Sequence, residues 1–331
     1  MSGKILITGA SGFVGFHLVE QATAAGFVVH AAVRKSSKVD DIKPYVSKFV
    51  YPDFDSNESL LALFQEEQYD YVIHAAAMTK AKSETQMFHV NVGYTERLIQ
   101  AAFATATPPK RFVFVSSLAA IGPRPYSDAD IQDDAENKPV TVYGRSKQAA
   151  EELLEKQFAQ LPITIIRPTA VYGPREKDLF ILFDTLHKGV DAYIGRKPQK
   201  LSFVYVLDLV DVLLKACVAP QEALTIFNIT DGNTYDRYAM AEIFKQTLHK
   251  KPMRLHLPYA VVEKIAQLSA WFYKNSDKTP VLYPERLNEL TAENWSCNIQ
   301  RAKDKLAYTP QYNLQRGLTD TLLWYKNNNW F

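Results

Sequence analysis

Up to Pro168, the chain alternates short apolar runs with longer stretches of helical periodicity. The apolar runs are rich in β-branched and aromatic side chains, which is typical of buried parallel strands. They cover 4–8, 28–34, 49–51, 71–76, 111–116 and 163–167. Helices are predicted between them near 12–25, 57–67, 84–105 and 142–160. This alternation predicts an α/β fold with helices on both faces of a doubly wound parallel sheet.

The regular alternation breaks down after Pro168, where further prolines separate shorter helical segments. Helices are predicted near 178–188, 207–218, 236–249, 259–273 and 314–326, and strands over 201–206 and 224–229. We expect both strands to return to the main sheet, so that residues 201–230 join a first domain over 1–175. Residues 176–200 and 231–331 are expected to form a smaller, mainly helical substrate domain.

Composition narrows the class of protein. Of the 331 residues 47% are hydrophobic, which excludes a mainly disordered chain. Lys and Arg number 38 against 36 Asp and Glu, so bulk charge gives no case for a nucleic-acid partner. The cysteines Cys217 and Cys297 lie far apart, which argues against a disulfide scaffold or a metal site. No signal peptide and no apolar run of roughly 18 residues is recognisable, which predicts a cytoplasmic protein without an integral membrane segment.

A glycine-rich turn joins the first predicted strand to the first predicted helix. Gly9 permits a tight turn, Gly12 lets a pyrophosphate approach the backbone, and Gly15 allows close helix–strand packing. The helix that follows offers free N–H groups and a positive dipole end to phosphate. We therefore expect a Rossmann-like dinucleotide site, formed at this turn by Gly9, Ser11, Gly12, Phe13, Val14 and Gly15.

The end of the second predicted strand bears on the choice of dinucleotide. NAD sites usually have an acidic residue about 20 residues past the glycines, on the ribose 2′-hydroxyl. Arg34 stands there in this chain, and Lys35 and Lys38 follow it. These cations suit a 2′-phosphate, because they cannot accept a hydrogen bond from a hydroxyl. We predict NADP(H), held by Arg34 and Lys38, with NAD as the second choice; a solvated basic loop is the alternative interpretation.

Candidate catalytic groups occur at the fifth predicted strand and the helix that follows. Tyr143 and Lys147 are four residues apart and share one helix face. A neighbouring ammonium favours phenolate, so we predict a lowered pKa for Tyr143, suited to proton transfer near neutral pH. The strand ends in Ser116 and Ser117, at the sheet edge where doubly wound proteins bind ligands. One serine is expected to stabilise a substrate oxygen together with Tyr143, with strand-end capping as the alternative.

These residues together resemble the extended short-chain dehydrogenase/reductase superfamily, in particular its NAD(P)-dependent epimerase/dehydratase group. The resemblance covers most of the first 210 residues, in family order and spacing. The matching segments are Thr8-Gly9-x-x-Gly12-x-x-Gly15, Asp53-Phe54, His74-Ala75-Ala76-Ala77, Asn91-Val92-x-x-Thr95, Ser116-Ser117, Tyr143-x-x-x-Lys147, Arg167-Pro168-x-x-Val171-Tyr172-Gly173-Pro174 and Phe203-Val204-Tyr205-Val206-x-Asp208.

The resemblance implies a role for each matching residue and makes the chain an enzyme. Ser117 aligns with the catalytic serine, Tyr143 is the general acid/base, and Lys147 holds the nicotinamide ribose and tunes the tyrosine. The remaining cofactor-binding positions are Asp53 and Phe54 at the adenine, Ala75, Ala76 and Ala77 at phosphate and ribose, Val115 beside the dinucleotide, Pro168 and Val171 near the nicotinamide, and Asn91 in support. For Asn91, a buried capping contact is an equal alternative.

The second domain decides the branch of the family. Nucleotide-sugar members typically carry an arginine before the Phe-Val-Tyr-Val-x-Asp strand, whereas this chain has Leu201 there and Lys200 beside it. Dehydratases tend to have an acidic pair after the catalytic hydroxyl, and Ser117 is followed by Leu118 and Ala119. The C-terminal third resembles the 3β-hydroxysteroid dehydrogenase and dihydroflavonol reductase-like branch. That branch implies hydride transfer on an apolar small molecule; a nucleotide-sugar 4-epimerase or dehydratase, and a non-catalytic NADP(H)-binding regulator, remain as alternatives.

Two further expectations concern surfaces. Family members commonly dimerise through the helices that here cover 84–105 and 142–160, so we predict a homodimer. Leu153, Leu154 and Phe158 lie where the two copies would meet, although core packing also explains them. The helix at 259–273 ends in Trp271-Phe272-Tyr273, and we expect these aromatic residues to belong to the core rather than to a membrane-contacting face.

Overall fold

Seven parallel strands form the central sheet of the computed structural model, which describes residues 3–220, 223–273 and 282–331. Two smaller sheets, of two strands each, accompany it. In chain order, the strands of all three sheets are β1 (Gly3–Thr8), β2 (Phe27–Ala32), β3 (Lys48–Val50), β4 (Tyr71–His74), β5 (Arg111–Val115), β6 (Ile163–Pro168), β7 (Ala170–Tyr172), β8 (Val190–Ile194), β9 (Phe203–Tyr205), β10 (Thr225–Ile229) and β11 (Met253–Leu257). The order across the central, seven-stranded sheet is β3-β2-β1-β4-β5-β6-β10, and every neighbouring pair in it is parallel. The predicted doubly wound α/β fold is confirmed.

Helices cover both faces of this sheet and build most of the C-terminal part. They are α1 (Phe13–Ala24), α2 (Asn57–Glu67), α3 (Glu84–Phe88), α4 (Tyr94–Phe103), α5 (Val142–Phe158), α6 (Phe180–His187), α7 (Val206–Val218), α8 (Ala239–Leu248), α9 (Tyr259–Tyr273), α10 (Pro284–Thr291), α11 (Gln300–Leu306) and α12 (Leu314–Asn327). The predicted single helix at 84–105 is divided into α3 and α4 by a π-helical turn at His89–Gly93.

The alternation of side chains along β1 shows why the sheet is covered on both faces. Ile5 and Ile7 belong to the core cluster that includes α1 and α7, whereas Leu6 belongs to the cluster that includes α2, α4 and α5. All three side chains are fully buried. Successive residues of a strand point to opposite faces, so a continuous apolar run is what a doubly covered parallel strand requires.

The two strands expected to return to the sheet behave differently. β10 pairs with β6 at the edge of the sheet, as predicted, with Ile226 opposite Ile165. β9 does not join; it pairs with β7, Ala170 opposite Phe203, in a separate two-stranded sheet. The prediction for 201–206 was therefore wrong in its pairing. The edge of the sheet beside β6 is already occupied by β10, and α7 begins directly after β9 at Val206.

The C-terminal part has its own apolar core, centred on α6, α8 and α12. Phe183, Phe244, Leu318 and Tyr325 are fully buried there, and the rings of Phe183 and Phe244 stack. The parallel pair of β8 and β11 was not predicted from the sequence, and neither were α10 and α11. These elements are short and only partly buried, so they lack the continuous apolar pattern from which buried strands and helices are predicted.

Candidate active site

The glycine turn after β1 fits a dinucleotide phosphate. Gly9 has φ +71°, and a Cβ there would stand 2.7 Å from the backbone nitrogen of Ala76. A Cβ on Gly15 would stand 2.1 Å from the carbonyl oxygen of Gly9. Helix α1 can therefore pack this closely against the turn only with glycine at position 15. A Cβ on Gly12 would meet only the Gly9 oxygen, at 3.2 Å, which leaves the outer side of the turn free for a ligand.

The N-terminus of α1 meets the other requirement for phosphate binding. Gly12 is its N-cap residue, no side chain caps it, and its first turn carries no acidic residue. The amide groups after Ser11, at Phe13 and Val14, therefore stand at the positive end of a twelve-residue helix. Together with the glycine geometry, this arrangement fits the pyrophosphate of NAD(P).

The basic loop after β2 lies at the surface. Arg34 and Lys38 are exposed, and within the described residues neither side chain forms an ion pair. The loop is closed by main-chain contacts, because the Ser37 amide donates to the Arg34 oxygen at 2.9 Å and the Arg34 amide donates to the Ser37 hydroxyl at 3.1 Å. Two cations that form no ion pair among the described residues provide a site for an added anionic group.

Asp53 and Phe54 lie in the loop between β3 and α2. The Asp53 carboxylate accepts a hydrogen bond from the Asp55 amide at 2.9 Å, which fixes a tight turn. The Phe54 ring stacks on Tyr94 with centroids 5.2 Å apart, and its carbonyl oxygen accepts from Arg97 Nε at 2.7 Å. α4 thus holds this loop in place.

A buried chain of hydrogen bonds starts from the ends of β1 and β4. Thr8 Oγ1 lies 2.7 Å from His74 Nδ1, and His74 Nε2 lies 3.1 Å from Thr95 Oγ1. Thr95 donates to the Asn91 carbonyl oxygen at 2.8 Å, so its own oxygen is left to accept from Nε2–H. Burial, aided by the charge of Lys147, lowers the pKa of His74 to about 3 and keeps the ring neutral.

This chain of hydrogen bonds positions the segment from Ala75 to Ala77 that follows β4. The Ala76 amide donates to Thr8 Oγ1 at 3.1 Å, so the segment lies against the Gly9 turn. The Asn91 side chain accepts from the Met78 amide at 2.7 Å and donates to Ser146 Oγ at 2.9 Å. Asn91 therefore ties the segment after β4 to α5, and its side-chain contacts are those of a buried structural residue.

Ser117 and Tyr143 meet at the carboxyl end of β5. The Ser117 hydroxyl lies near enough to the Tyr143 hydroxyl to lower the pKa of the phenol, and it accepts a hydrogen bond from the Ala119 amide at 3.2 Å. Both residues keep part of their surface exposed. Thr141 starts α5 by capping the amide of Gly144 at 3.1 Å, and a Cβ on Gly144 would stand 2.4 Å from the Ala119 oxygen. The start of α5 is thereby fixed against the segment that carries Ser117.

Lys147, one helical turn after Tyr143, is buried. Its ammonium donates to the Val115 carbonyl oxygen at 2.8 Å and lies 4.6 Å from the centre of the Phe114 ring. Burial lowers the pKa of Lys147 to about 8, opposed by the negative charge of Glu151.

The predicted lowering of the Tyr143 pKa was wrong for this structure. Burial raises the pKa of Tyr143 to about 12, and the hydrogen bond from Ser117 only partly offsets it. The carboxylates of Glu289 and Glu151 raise it further. Desolvation acts on the whole phenolate, so it outweighs the effect expected from a lysine one helical turn away. The phenol is consequently protonated throughout the neutral range.

Sequence reasoning missed the buried ion pair behind the site. Arg167 Nη2 lies 2.6 Å from a Glu151 carboxylate oxygen, and its Nε lies 3.0 Å from both oxygens. The Ser116 hydroxyl donates to the same carboxylate, and Arg167 also donates to the Asp133 carbonyl oxygen at 2.8 Å. Ser116 is therefore engaged in a structural network, which leaves Ser117 as the serine at Tyr143.

Further residues near the site come from the ends of other elements. β6 ends at Pro168, and Val171 lies in β7 with part of its surface exposed. From the C-terminal part, Glu285 of α10 accepts from the Val142 amide at 3.2 Å and from Arg145 at 3.4 Å. α10 thus contacts the start of the helix that carries Tyr143, a contact that no local sequence pattern indicates.

The position of the arginine expected in nucleotide-sugar members is occupied differently here. Leu201 pairs through its backbone with Tyr235, and its side chain packs against the C-terminal core. The Lys200 ammonium donates to the Asp128 carbonyl oxygen at 3.3 Å and lies 5.0 Å from the centre of the Tyr126 ring. The one cation beside this position is therefore engaged within the protein.

A parallel sheet with a phosphate-binding glycine turn and a serine, tyrosine and lysine at its carboxyl edge defines an NAD(P)-dependent enzyme of the extended short-chain dehydrogenase/reductase type. The chain belongs to the NAD dependent epimerase/dehydratase family, whose model matches residues 5–230. The predicted family, fold and NAD(P)-dependent enzyme class are confirmed.

Individual relatives span nearly the whole chain. UDP-glucose 4-epimerase of Vibrio cholerae is 27% identical over 97% of this chain and 95% of its own. A decarboxylating sterol-4-alpha-carboxylate 3-dehydrogenase of Candida albicans is 26% identical over 97% of both chains. Among solved structures, UDP-glucose 4-epimerase of Thermotoga maritima superposes with a TM-score of 0.79 at 21% identity, over 98% of this chain and 99% of that one. The last similarity supports the fold.

Proposed function

We propose that this chain is an NADP(H)-dependent oxidoreductase acting on a carbonyl or hydroxyl carbon of an apolar small molecule. The proposal rests chiefly on the proximity of the Ser117 hydroxyl to that of Tyr143, with Lys147 on the same helix as Tyr143. Both hydroxyls lie at the carboxyl edge of the sheet, where ligands of doubly wound proteins bind. The bound dinucleotide supplies or accepts the hydride at its nicotinamide.

The residues of the chain manage the proton and the substrate oxygen. In reduction, the substrate carbon gains the hydride while Tyr143 gives its hydroxyl proton to the substrate oxygen. The raised pKa of Tyr143 favours this direction, because the phenol stays protonated at neutral pH. Ser117 donates a hydrogen bond to the same oxygen and stabilises the charge that develops on it. Lys147 contributes a positive charge below about pH 8 and holds the nicotinamide ribose.

The remaining predicted positions are proposed to bind the dinucleotide. Gly9, Gly12 and the first turn of α1 receive the pyrophosphate, and Arg34 and Lys38 receive the 2′-phosphate of NADP(H). Further contacts are assigned to Asp53, Phe54, Ala75, Ala76, Ala77, Val115, Pro168 and Val171. Asn91 is assigned to positioning, because its side-chain hydrogen bonds are to Met78 and Ser146.

The choice of an apolar substrate rests on the region before β9. Leu201 replaces a cation with a side chain that cannot bind a pyrophosphate, and the Lys200 ammonium is engaged by Asp128 and Tyr126. The sterol dehydrogenase relative, at 26% identity, supports this class of substrate. The epimerase relative, at 27%, supports the nucleotide-sugar alternative to the same degree.

A turnover experiment separates these functions. The purified protein is incubated with NADPH and a panel of aldehydes, ketones and keto-steroids, and separately with NAD⁺ or NADP⁺ and either UDP-glucose or UDP-galactose. We expect NADPH oxidation with an apolar carbonyl compound and no interconversion of the nucleotide-sugars. Interconversion of UDP-glucose and UDP-galactose without net cofactor oxidation would assign the chain to the epimerases. NADPH binding without turnover of either set would indicate a regulator.

A further inference from the structure

One carboxylate of α10 contacts α5 on both sides of Tyr143. Glu285 Oε2 accepts a hydrogen bond from the Val142 amide at 3.2 Å, and Glu285 Oε1 lies 3.4 Å from Arg145 Nη2. Val142 directly precedes Tyr143 in α5, and Arg145 follows it by two residues. A side chain from a distant part of the sequence therefore spans the first turn of the helix that carries Tyr143.

The Val142 amide is a group that α5 cannot satisfy by itself, because the first N–H groups of a helix have no partner within it. Thr141 caps the Gly144 amide at 3.1 Å, and Glu285 accepts from the Val142 amide. The charge of Glu285 also lies at the positive end of the helix dipole. Tyr143 stands between these two amides, one held by a local cap and the other by α10.

Arg145 extends the contact to a third helix. Its Nε lies 3.3 Å from a carboxylate oxygen of Glu84 in α3, so α3, α5 and α10 meet at one guanidinium. The side chains of Arg145, Glu84 and Glu285 are 39%, 53% and 38% exposed. Ion pairs this exposed contribute little to the free energy of unfolding. We therefore expect them to matter more for the placement of the three helices than for stability.

The remaining contacts of α10 are with other elements of the C-terminal part. Leu287 is buried against α9; neither α9 nor any other helix among the described residues is long and apolar enough to cross a membrane. The buried Gln199, from the segment between β8 and β9, donates to the carbonyl oxygens of Leu290 and Ala292 at 2.9 and 2.8 Å. The middle and the end of α10 are thus fixed there, and Glu285 in its first turn links them to α5.

A second acidic residue shows that α10 faces Tyr143. Glu289 lies four residues after Glu285 and shares its side of the helix. Its carboxylate is held by Arg286 Nη1 at 2.8 Å and raises the pKa of Tyr143. Two carboxylates of α10 therefore lie along the start of α5, and the first of them is bonded to its main chain.

We propose that Glu285 is a positioning residue for Tyr143, which is correctly placed only while α10 is docked on α5. The inference rests on the proposed function, in which Tyr143 gives its proton to the substrate oxygen. Glu285 acts by fixing the main chain next to Tyr143. A displacement of about 1 Å in a reacting group can cost on the order of 10²-fold in rate. Loss of the contact should therefore reduce turnover without weakening the dinucleotide, whose phosphate site lies at α1.

Steady-state kinetics test the proposal with a compound that the wild type turns over in the assay described above. Glu285→Ala removes the acceptor of the Val142 amide, so kcat should fall about tenfold or more, while KM and NADPH affinity stay within about twofold. Glu285→Gln keeps an oxygen for that amide and should hold kcat within about threefold of the wild type. Asn288→Ala, at an exposed residue of the same helix, is the matched control and should change none of these quantities.

Hydrogen–deuterium exchange of the same variants needs no substrate. In Glu285→Ala the amides from Val142 to Arg145 should exchange about tenfold faster or more, while those of β5 keep their wild-type rates. Unchanged exchange in this turn, an unchanged kcat, or a loss of kcat that Glu285→Gln does not recover overturns the proposal. Faster exchange throughout the chain with weaker NADPH binding overturns it as well, because Glu285 would then be merely structural. The expected exchange without turnover of any compound supports the placement of Tyr143 by α10 and counts against the proposed reaction alone.

Discussion

The Lys147 ammonium donates to the main-chain oxygen of Val115 at 2.8 Å. The contact joins α5 to Val115, the last residue of β5, two residues before Ser117. It also encloses a lysine whose pKa falls to about 8 through burial. The charge of this lysine therefore changes within the range in which enzymes are assayed.

In the absence of cofactor, we expect the free energy of unfolding to rise with pH above about 8, because Lys147 is buried and loses its charge there. Its folded pKa is depressed from 10.5 to about 8, so between these values the unfolded chain binds a proton that the folded chain does not. The fold favours the neutral amine of Lys147, so the gain in unfolding free energy that this form provides is lost as the pH falls through about 8. Relative to Lys147→Met, the unfolding free energy should increase by about 1–2 kcal/mol between pH 8 and about pH 9.5. Urea unfolding of both proteins measures this difference. The same difference in unfolding free energy between wild type and Lys147→Met at both pH values would contradict the expectation.

Removal of the Tyr143 hydroxyl should abolish most of the reduction rate. Tyr143→Phe takes away the proton donor and nothing else, so kcat should fall by about 10²–10⁴-fold while NADPH affinity stays the same. Because the pKa of Tyr143 is about 12, reduction by the wild type should show no loss from this group between pH 6 and about pH 9. Near wild-type kcat in the variant, with hydride transfer rate-limiting, would show that another group supplies the proton.

Arg34 should decide the preference between the two dinucleotides. Loss of a charge-assisted hydrogen bond costs about 1.5–3 kcal/mol, so Arg34→Ala should weaken NADPH about tenfold or more and NADH hardly at all. Lys43→Ala, at another basic residue that follows β2, provides a matched control for a general change of charge. Fluorescence titration of both cofactors measures the effect. Equal loss of affinity for NADPH and NADH, or a preference of the wild type for NADH, would contradict the assignment of Arg34 to the 2′-phosphate.

The buried Glu151–Arg167 pair should be costly to break from one side. Glu151→Gln leaves the Arg167 guanidinium, which is 3% exposed, without its carboxylate, and such a loss typically costs about 3–5 kcal/mol. The double variant Glu151→Leu with Arg167→Met removes both charges and should recover part of this loss. Urea unfolding of the three proteins tests the pair. A double variant less stable than Glu151→Gln would mean that the network does more than balance charge.

The predicted homodimer is tested by mass in solution. Leu154 is fully buried within its own chain, and Leu153 and Phe158 pack against the same core, so the interface must use the outer faces of α4 and α5. Light scattering at micromolar concentration should give twice the chain mass of 37.5 kDa. Glu155→Arg and Lys156→Glu on the exposed side of α5 should shift the equilibrium toward the single chain. A mass of one chain for the wild type would refute the dimer.

Sequence by itself determined the parts of this protein that depend on local pattern. The apolar runs predicted the strands of the main sheet to within a few residues, because a strand buried on both faces is apolar at most of its positions. Gly9 and Gly15 identified the turn, because only glycine fits contacts as short as theirs. The four-residue spacing of Tyr143 and Lys147 placed both on α5.

Tertiary structure decided what depends on burial and on partners distant in the chain. Desolvation raised the pKa of Tyr143, against the prediction from its lysine neighbour, because the whole surroundings of a group set its charge. The pairing of β9 with β7 depended on which strand already occupied the edge beside β6. The expectation that the aromatic end of α9 belongs to the core was wrong, because Trp271 and Phe272 are 67% and 66% exposed and α9 buries Val262 and Ala266 against α10 instead.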